Sequence, residues 1–401
     1  MDNRPAILGG TPILSGEEAG IVRPSIADYT SPELMARIQE VLVSNQVTNG
    51  VNVRGLEENM GAYLNVDHVV AVSSCTLGLT LALQAAGIVE KEVIVPSFTI
   101  AATANAAYWN RCKITFADID LDTFNISLDH VEELITEETG AIMPVHVFGN
   151  PCRINELQAL GSKYGVPVVY DAAQAFGASY QGAKVGRFGE FEVFSGSPTK
   201  HFTSLEGGFI ATNDGDLAEM VRLTRNYGVL PNYDCVLPGL NARMPEINAV
   251  VGQALLPDTD GFVSRRNRYA EAYREYLAEL PGIRFQEVTP GACSSYNYFG
   301  MLIEPATFGL TNRELEQALK AEGIGTKVYY HPPVHLHQAY RTVPAPSLPY
   351  TQYLADRIIC LPMYNSMEHS LLEQIATAVL RIHRYQGEVK RALSSEMVYA
   401  D

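Results

Sequence analysis

The stretch Val166-Pro167-Val168-Val169-Tyr170-Asp171-Ala172-Ala173-Gln174 joins a short apolar run to a carboxylate and a polar turn. An unbroken apolar run of this length is typical of a buried strand in a parallel sheet. Similar runs occur at 69–72, 93–95 and 141–145, and each is followed by a segment with helical periodicity. This alternation predicts an α/β fold whose mostly parallel sheet is covered by helices on both faces.

Polar residues follow several of these runs. In open α/β sheets, ligands bind beyond the carboxyl ends of the strands. Asp171 stands at such an end, and a carboxylate there needs a cation or hydrogen bonds to offset its desolvation. A protonated pyridine nitrogen is one such cation. The candidate site residues at the strand ends are therefore Ser73, Ser74, 97–99, His146, Asp171 and 195–200.

Lys200 lies in the hydroxyl- and glycine-rich run Phe194-Ser195-Gly196-Ser197-Pro198-Thr199-Lys200-His201-Phe202-Thr203-Ser204-Leu205-Glu206-Gly207-Gly208. A lysine is usually an exposed surface charge. The chain has only eight lysines, however, and this one alone lies in such a segment. Because a lysine amine with a lowered pKa attacks carbonyl carbons, the placement predicts a Schiff-base site.

The turn Ser73-Ser74-Cys75-Thr76-Leu77-Gly78 connects a predicted strand to a predicted helix. Hydroxyls at a helix N-terminus suit a phosphate, although they are also ordinary helix caps. No Walker motif is present, and no G-x-G-x-x-G opens a helix after the first strand, which weakens nucleotide hydrolysis and nicotinamide chemistry. A lysine, a carboxylate and an anion site are the three groups that pyridoxal 5'-phosphate (PLP) requires together.

Composition excludes several classes of partner. The chain has 401 residues, a formal net charge of -16 and a pI near 5.0, which argue against binding to nucleic acid or to an anionic membrane. An anionic substrate therefore needs a local basic pocket. The six cysteines are scattered without metal-ligand spacing and are interpreted as free thiols, and no metal is expected. Without a signal-peptide pattern or a run of about 18 apolar residues, we expect a cytoplasmic protein.

Changes in composition predict three parts. Residues 1–30 are rich in glycine and proline and are expected to form an extended arm that contacts a partner subunit. Residues 31–258 carry the alternating pattern and form the large domain. A polar segment near 258–266 marks a boundary, and 259–401 are expected to form a smaller α+β domain.

An ordered set of motifs points to one family. The chain resembles the DegT/DnrJ/StrS group of sugar-nucleotide aminotransferases, which are PLP enzymes of fold type I, and the resemblance covers nearly its whole length. This fold implies a mostly parallel seven-stranded sheet flanked by helices, with the smaller C-terminal domain beside it. The motifs lie at 9–10, 95–99, 116–120, 171–174, 194–200, 206–208, 241–244 and 332–335.

The resemblance also assigns roles to individual residues. It implies that Lys200 forms the internal aldimine with PLP and shuttles the proton, that Asp171 holds the pyridinium nitrogen, and that Gln174 bonds the ring hydroxyl. It further implies a homodimer with shared active sites, because one phosphate ligand comes from the second subunit. The implied phosphate ligands are Cys75, Thr76, Ser195 and the partner's Asn241.

Two positions depart from the family pattern. Ile100 stands where an aromatic residue usually stacks on the cofactor ring, so an aliphatic contact or the nearby Phe98 is expected to serve instead. Cys75 replaces the usual glycine or alanine before the phosphate-binding Thr76. The substrate ligands are expected in the run Tyr329-Tyr330-His331-Pro332-Pro333-Val334-His335, and the candidates are Tyr330, His331 and His335.

The residues around Lys200 resemble those of family members that aminate carbon 4. This implies transfer of an amino group from L-glutamate to the C4 keto group of a nucleotide-linked 4-keto-6-deoxy sugar, with dTDP-4-keto-6-deoxyglucose as the expected substrate, in deoxyamino-sugar biosynthesis. One alternative is an aminotransferase acting at C3 of a sugar or on a ketocyclitol. A lesser alternative is a non-catalytic regulator that binds PLP.

Overall fold

A computed structural model describes residues 4–16 and 18–397 of the chain. The α-helices in these residues are α1 (Pro32–Ser44), α2 (Val51–Leu64), α3 (Cys75–Ala85), α4 (Ala101–Trp109), α5 (Leu128–Leu134), α6 (Ile154–Tyr164), α7 (Gly215–Thr224), α8 (Glu246–Leu255), α9 (Thr259–Tyr276), α10 (Pro305–Phe308), α11 (Asn312–Ala321), α12 (Pro349–Ala355), α13 (His369–Arg384) and α14 (Gln386–Met397). The strands are β1 (His68–Val72), β2 (Glu92–Pro96), β3 (Lys113–Ala117), β4 (Thr139–Ile142), β5 (Val169–Asp171), β6 (Ser179–Tyr180), β7 (Ala183–Lys184), β8 (Phe191–Ser195), β9 (Gly208–Thr212), β10 (Ile283–Phe285), β11 (Ala292–Cys293), β12 (Phe299–Ile303) and β13 (Ile358–Leu361).

Seven strands of the N-terminal part form two neighbouring sheets. One is parallel, in the order β3-β2-β4, and the other is mixed, in the order β1-β9-β8-β5. In the mixed sheet β9 runs antiparallel to both of its neighbours. Isolated parallel bridges, Ile142 to Val168 and Val145 to Asp171, lie between β4 and β5. The prediction of an α/β fold is confirmed. The predicted single, mostly parallel sheet of seven strands is not confirmed, because the seven strands pair in two sheets with only isolated bridges between them.

The two strands next to the predicted site are shorter than their apolar runs. The run 166–171 forms a strand only from Val169, and the run 141–145 ends as a strand at Ile142. Pro167 and Pro144 explain both ends, because a proline has no N–H to donate to a ladder. Their carbonyls still accept bonds, from Ile142 N at 3.0 Å and from Asp171 N at 2.9 Å, so the two chain segments stay in register.

A second core lies in the C-terminal part of the chain. There the antiparallel sheet β10-β12-β13 packs with α9, α11 and α13. The core between them contains side chains such as Met301, Leu315 and Ile375, which are fully buried. The helix α9 begins at Thr259, where the sequence predicts a domain boundary. The division into an arm, a large domain and a small domain stays a prediction.

The N-terminal segment packs on the C-terminal part of its own chain. Leu14 N donates to Glu322 O at 3.1 Å, and Ala19 pairs with Ile324 in a parallel bridge. Glu322 is fully buried, and its carboxylate accepts the N–H groups of Ala6 and Ile13, both at 3.0 Å. These contacts anchor the arm within its own chain. Its contact with a partner subunit stays a prediction.

Helix length and polarity bear on membrane insertion. Within residues 4–16 and 18–397, no helix combines the length and the apolar character that a membrane span needs.

Candidate active site

The register of the mixed sheet brings three predicted segments to one edge. Val72 at the end of β1 pairs with Gly208 at the start of β9, and Gly208 pairs with Ser195 at the end of β8. On the other side of β8, Asp171 at the end of β5 pairs with Val193. The serine turn before α3, the lysine loop and the buried carboxylate therefore meet beyond the carboxyl ends of β1, β5 and β8.

Asp171 is buried, and hydrogen bonds hold both of its carboxylate oxygens. Thr103 Oγ1 donates to Oδ2 at 2.8 Å, and Ala173 N donates to Oδ1 at 3.1 Å. Burial raises the pKa of Asp171, and these two hydrogen bonds and the nearby Lys200 and His146 oppose that rise. Among the described residues no ion pair neutralises this carboxylate, so a cationic ligand group fits here.

Gln174 is fixed on both ends of its amide. Its Oε1 accepts the N–H of Phe148 at 2.8 Å, and its Nε2 donates to the hydroxyl of Tyr330. Tyr330 is buried, packs edge-on against Phe98 with ring centroids 5.5 Å apart, and has its pKa raised by burial. The predicted cofactor residue Gln174 and the predicted substrate residue Tyr330 are thus direct partners.

The turn before α3 forms an open helix N-terminus. Ser74 is the N-cap, and its hydroxyl accepts the N–H of Leu77 at 3.3 Å. The N–H groups of Cys75 and Thr76 lie in the first turn, where a helix has donors without intrahelical acceptors. Gly208 makes this packing possible, because a Cβ there would lie 2.5 Å from the carbonyl carbon of Ser74 and 2.6 Å from Cys75 N.

The thiol of Cys75 contacts the backbone of β8. Its Sγ lies 3.6 Å from the Val193 carbonyl, and burial raises the pKa of the thiol well above its ordinary value. We therefore expect Cys75 to bind an anion through its backbone N–H. Ser195, another predicted phosphate ligand, is buried nearby, and its Oγ accepts the N–H of Ser197 at 3.3 Å.

Lys200 lies in the loop between β8 and β9. The loop is closed by Gly196 N donating to Gly207 O and by Thr203 Oγ1 donating to Gly196 O, both at 2.9 Å. Desolvation lowers the pKa of Lys200, while Cys75 and Asp171 act in the opposite direction. A lowered pKa increases the fraction of free amine, which is the nucleophilic form that the sequence predicts.

The ring of His201 contacts Phe176 and Asn297. Its Nε2 donates to Phe176 O at 2.7 Å, and its Nδ1 lies 3.4 Å from Asn297 Oδ1. Burial and the nearby Arg266 lower the pKa of His201 to about 3, so the ring is neutral. This histidine ties the lysine loop to the C-terminal part of the chain.

A cavity of about 340 Å³ opens beside these groups, and Ile100 and Tyr330 line it. Ile100 is 54 % exposed, whereas Phe98 is fully buried among aromatic rings. Of the two, Ile100 is the residue that presents its side chain to the open space. The remaining lining is largely polar and basic, and it comprises Thr99, Ala101, Arg313, Glu316, Lys327, Val328, Tyr329, His331, Pro332 and His337.

The two candidate histidines differ in position. His331 lines the cavity, and its Nδ1 lies 3.4 Å from Asp356 Oδ1. His335 is buried, and its Nδ1 lies 2.6 Å from Ser97 Oγ, while its backbone N–H donates to the same oxygen at 3.1 Å. The structure thus brings His331 to the cavity and gives His335 a contact that joins its loop to the end of β2.

Asn241 is exposed next to the serine turn. The following residue, Ala242, accepts the N–H of Ser73 at 2.8 Å, so this loop runs along the end of β1 in the same chain. The exposed side chain is compatible with a contact to another subunit, which stays a prediction.

Sequence reasoning missed two residues that touch the predicted groups. Thr103 bonds Asp171, and Tyr298 lies with its ring centroid 5.9 Å from Lys200 Nζ. A polar residue in the first turn of α4, directly after a strand end, is a signal that could have identified Thr103. Tyr298 has no comparable signal, because it lies in a different part of the chain.

These groups match what PLP requires. The buried Asp171 forms no ion pair with any described residue, the first turn of α3 offers N–H donors to a phosphate, and Lys200 has a lowered pKa. When PLP is bound, it supplies the electron sink that allows an amino group to be moved between carbon atoms.

Comparison with known proteins supports the same assignment. The model of the DegT/DnrJ/EryC1/StrS aminotransferase family matches residues 28–380. The dTDP-4-amino-4,6-dideoxy-D-glucose transaminase of Escherichia coli is 31% identical over 365 residues, which are 90% of this chain and 97% of that protein.

Two solved structures extend the likeness to three dimensions. DesI, solved in the presence of its TDP-sugar product, is 33% identical with a TM-score of 0.88, covering 97% of this chain and 99% of DesI. DesV of S. venezuelae, solved with a ketimine intermediate, is 32% identical with a TM-score of 0.86, covering 92% and 99%. The predictions of an enzyme and of PLP as its cofactor are confirmed, and the chain belongs to the DegT/DnrJ/EryC1/StrS family of PLP-dependent sugar aminotransferases.

Proposed function

We propose that this enzyme transfers the amino group of L-glutamate to the C4 keto group of a nucleotide-linked 4-keto-6-deoxy sugar, and that dTDP-4-keto-6-deoxyglucose is the substrate. The single observation that carries the proposal is the likeness, over nine-tenths of the chain, to a transaminase named for a 4-amino-4,6-dideoxy sugar linked to dTDP. The TDP-sugar product of DesI, the relative with a TM-score of 0.88, supports the same substrate class.

The charge distribution supports an anionic substrate. The chain carries a net charge of -16, so a nucleotide diphosphate would be repelled by most of its surface. The cavity beside Ile100 contrasts with this surface, because Lys327 and His331 line it and Lys327 forms no ion pair with any described residue. We assign this cavity to the nucleotide sugar, with Tyr330 and His331 as contacts and His335 as the residue that positions their loop.

Each residue of the site has a role in this proposal. Lys200 attaches the cofactor and afterwards moves a proton at the carbon that bears the amino group. Asp171 keeps the ring nitrogen cationic, and Gln174 binds the ring hydroxyl. Thr76, Ser195 and the N–H of Cys75 bind the phosphate, while Ile100 packs against the ring.

The proposal includes a homodimer. An apolar groove of about 630 Å³ lies between α3 and the loop that precedes Asn241, and Thr76, Leu77 and Trp109 line it. Trp109 is 71 % exposed, which is unusual for so large an apolar side chain. A second copy seated on this groove would lie next to the phosphate turn, where its Asn241 would complete the site.

Product analysis tests the reaction. The protein, loaded with PLP, is incubated with glutamate and dTDP-4-keto-6-deoxyglucose, with a 3-keto isomer, and with a ketocyclitol, and each product is examined by NMR. We expect an amine at C4 of the first compound. Turnover of only the 3-keto sugar or only the cyclitol would replace the proposal by one of its alternatives, and no turnover of glutamate at all would leave a PLP-binding regulator.

Complementation tests the shared site. The variants Lys200→Ala and Asn241→Ala are each expected to be inactive, and mixing them in equal amounts under exchange conditions should restore about a quarter of the wild-type activity. Half of the dimers are then hybrids, and one of their two sites has both residues. If Asn241 served the site of its own chain, no mixture would recover activity.

A further inference from the structure

Two buried threonines form a chain of hydrogen bonds that ends at the carboxylate of Asp171. Thr99 Oγ1 is 3.0 Å from Thr103 Oγ1, and Thr103 Oγ1 is 2.8 Å from Asp171 Oδ2. The three residues are 1 %, 0 % and 2 % exposed, so water does not compete for these bonds. Hydrogen bonds in such surroundings are stronger than at the surface, and an unpaired partner is more costly.

The direction of these bonds follows from the number of protons. An ionised carboxylate only accepts, so Thr103 must give its single hydroxyl proton to Asp171. The oxygen of Thr103 can then only accept from Thr99, which therefore donates. Ala173 N–H occupies the second carboxylate oxygen at 3.1 Å. A proton placed on Oδ2 of Asp171 would meet the Thr103 proton, and both hydroxyls would have to turn.

We propose that Thr99 and Thr103 form a directional hydroxyl relay that keeps Asp171 ionised and fixed in orientation, so that it holds a cationic ring nitrogen. The threonines are positioning residues, because they act through Asp171. Burial favours the neutral acid, and the charged or titratable groups around Asp171 include Lys200, His146, Cys75, Cys152 and Tyr330. Lys200 is committed to attaching the cofactor, so the hydrogen-bond donors that this chain keeps on the carboxylate are the hydroxyl of Thr103 and the N–H of Ala173.

The relay acts on bound PLP, so it rests on the proposed cofactor site and is independent of the sugar specificity. It is tested in the protein loaded with PLP, in the absence of any substrate. A failed sugar assay would therefore leave it intact, and failure of the relay would not alter the proposed substrate.

The test reads the protonation of the ring nitrogen directly. Wild type and variants are loaded with PLP that is labelled with ¹⁵N in the ring, and the ¹⁵N chemical shift distinguishes pyridinium from pyridine. Thr103→Val removes the donor at nearly constant shape, whereas Thr103→Ser keeps it. We expect pyridinium in wild type and in Thr103→Ser, and a shift toward pyridine in Thr103→Val with a PLP dissociation constant about tenfold higher.

Two further variants separate the relay from packing. Thr99→Val should give a smaller shift in the same direction, because it removes the second donor only. Thr224→Val is the matched control, since Thr224 is a buried helical threonine that donates to Met220 O, and it should leave the ¹⁵N shift unchanged. An unchanged shift and an unchanged dissociation constant in Thr103→Val would overturn the proposal. If Thr103→Val does not fold, an unchanged shift in Thr99→Val would overturn it equally.

Discussion

Replacing Gly208 by alanine tests how the phosphate site is built. The added Cβ would lie 2.5 Å from the carbonyl carbon of Ser74 and 2.6 Å from Cys75 N, and both are backbone atoms at the start of α3. An ordinary contact begins at 3.4 Å, so β9 and the helix start must separate by about 0.9 Å. No side chain can rotate away to avoid this shift.

The shift has two measurable consequences. Overpacking of this kind destabilises a protein by about 1–3 kcal/mol. A displacement of about 0.9 Å also takes the N–H groups of Cys75 and Thr76 out of hydrogen-bond range of a phosphate that stays held by Ser195, since bonds near 2.9 Å would lengthen to about 3.8 Å. Two bonds to a charged group are worth about 3 kcal/mol together, which corresponds to a PLP affinity lowered about a hundredfold.

The assay is a titration of the apo-protein with PLP, followed by absorbance, beside a thermal unfolding curve. Gly261→Ala serves as control, because Gly261 lies in α9 with no heavy atom within 4 Å of the added Cβ. We expect the control to bind PLP normally and to be as stable as wild type or slightly more so. A dissociation constant of Gly208→Ala within threefold of wild type would show that the N–H groups of Cys75 and Thr76 do not hold the phosphate.

Two other predictions concern groups near the lysine. Cys75→Ala should bind PLP with a dissociation constant within about threefold of wild type, because we expect the phosphate to be bound by the backbone N–H and not by the thiol. An affinity loss as large as that of Gly208→Ala would show that the sulfur is a ligand. The pKa of His201 is lowered from 6.5 to about 3, so the unfolded chain binds one more proton than the folded one between these values. The free energy of unfolding should therefore fall as the pH drops through this window, by up to about 1.4 kcal/mol per pH unit from this group, and chemical denaturation of His201→Gln should show a shallower slope; an equal slope would contradict the assignment.

The sequence predicts the elements around the site well because each carries a strong local signal. The apolar run before Asp171 and the hydroxyl-rich loop around Lys200 are local features, and the carboxyl ends of parallel strands meet by rule. The sequence analysis does not predict that β9 runs antiparallel to its neighbours. A signal was present, because parallel strands need a crossover that is usually helical, and 196–207 has no helical pattern. The prolines at 144 and 167 that shorten two strands were also visible in the sequence.

The remaining features depend on contacts between distant residues. Thr103 lies 68 positions before Asp171, and Tyr298 lies 98 positions after Lys200, so no local pattern links either pair. His335 was expected to contact the substrate, and that role stays a prediction, but its buried bond to Ser97 arises from a contact across 238 positions. Such contacts are fixed by tertiary packing.

Chemical trapping shows which lysine attaches the cofactor, and every role proposed for the site depends on that lysine being Lys200. The protein loaded with PLP is reduced with borohydride, digested and examined by mass spectrometry. We expect a phosphopyridoxyl group on the peptide that contains Lys200, and loss of both the label and the absorbance at about 410–430 nm in Lys200→Ala. A label on any of the other seven lysines, or an undiminished signal in Lys200→Ala, would contradict it.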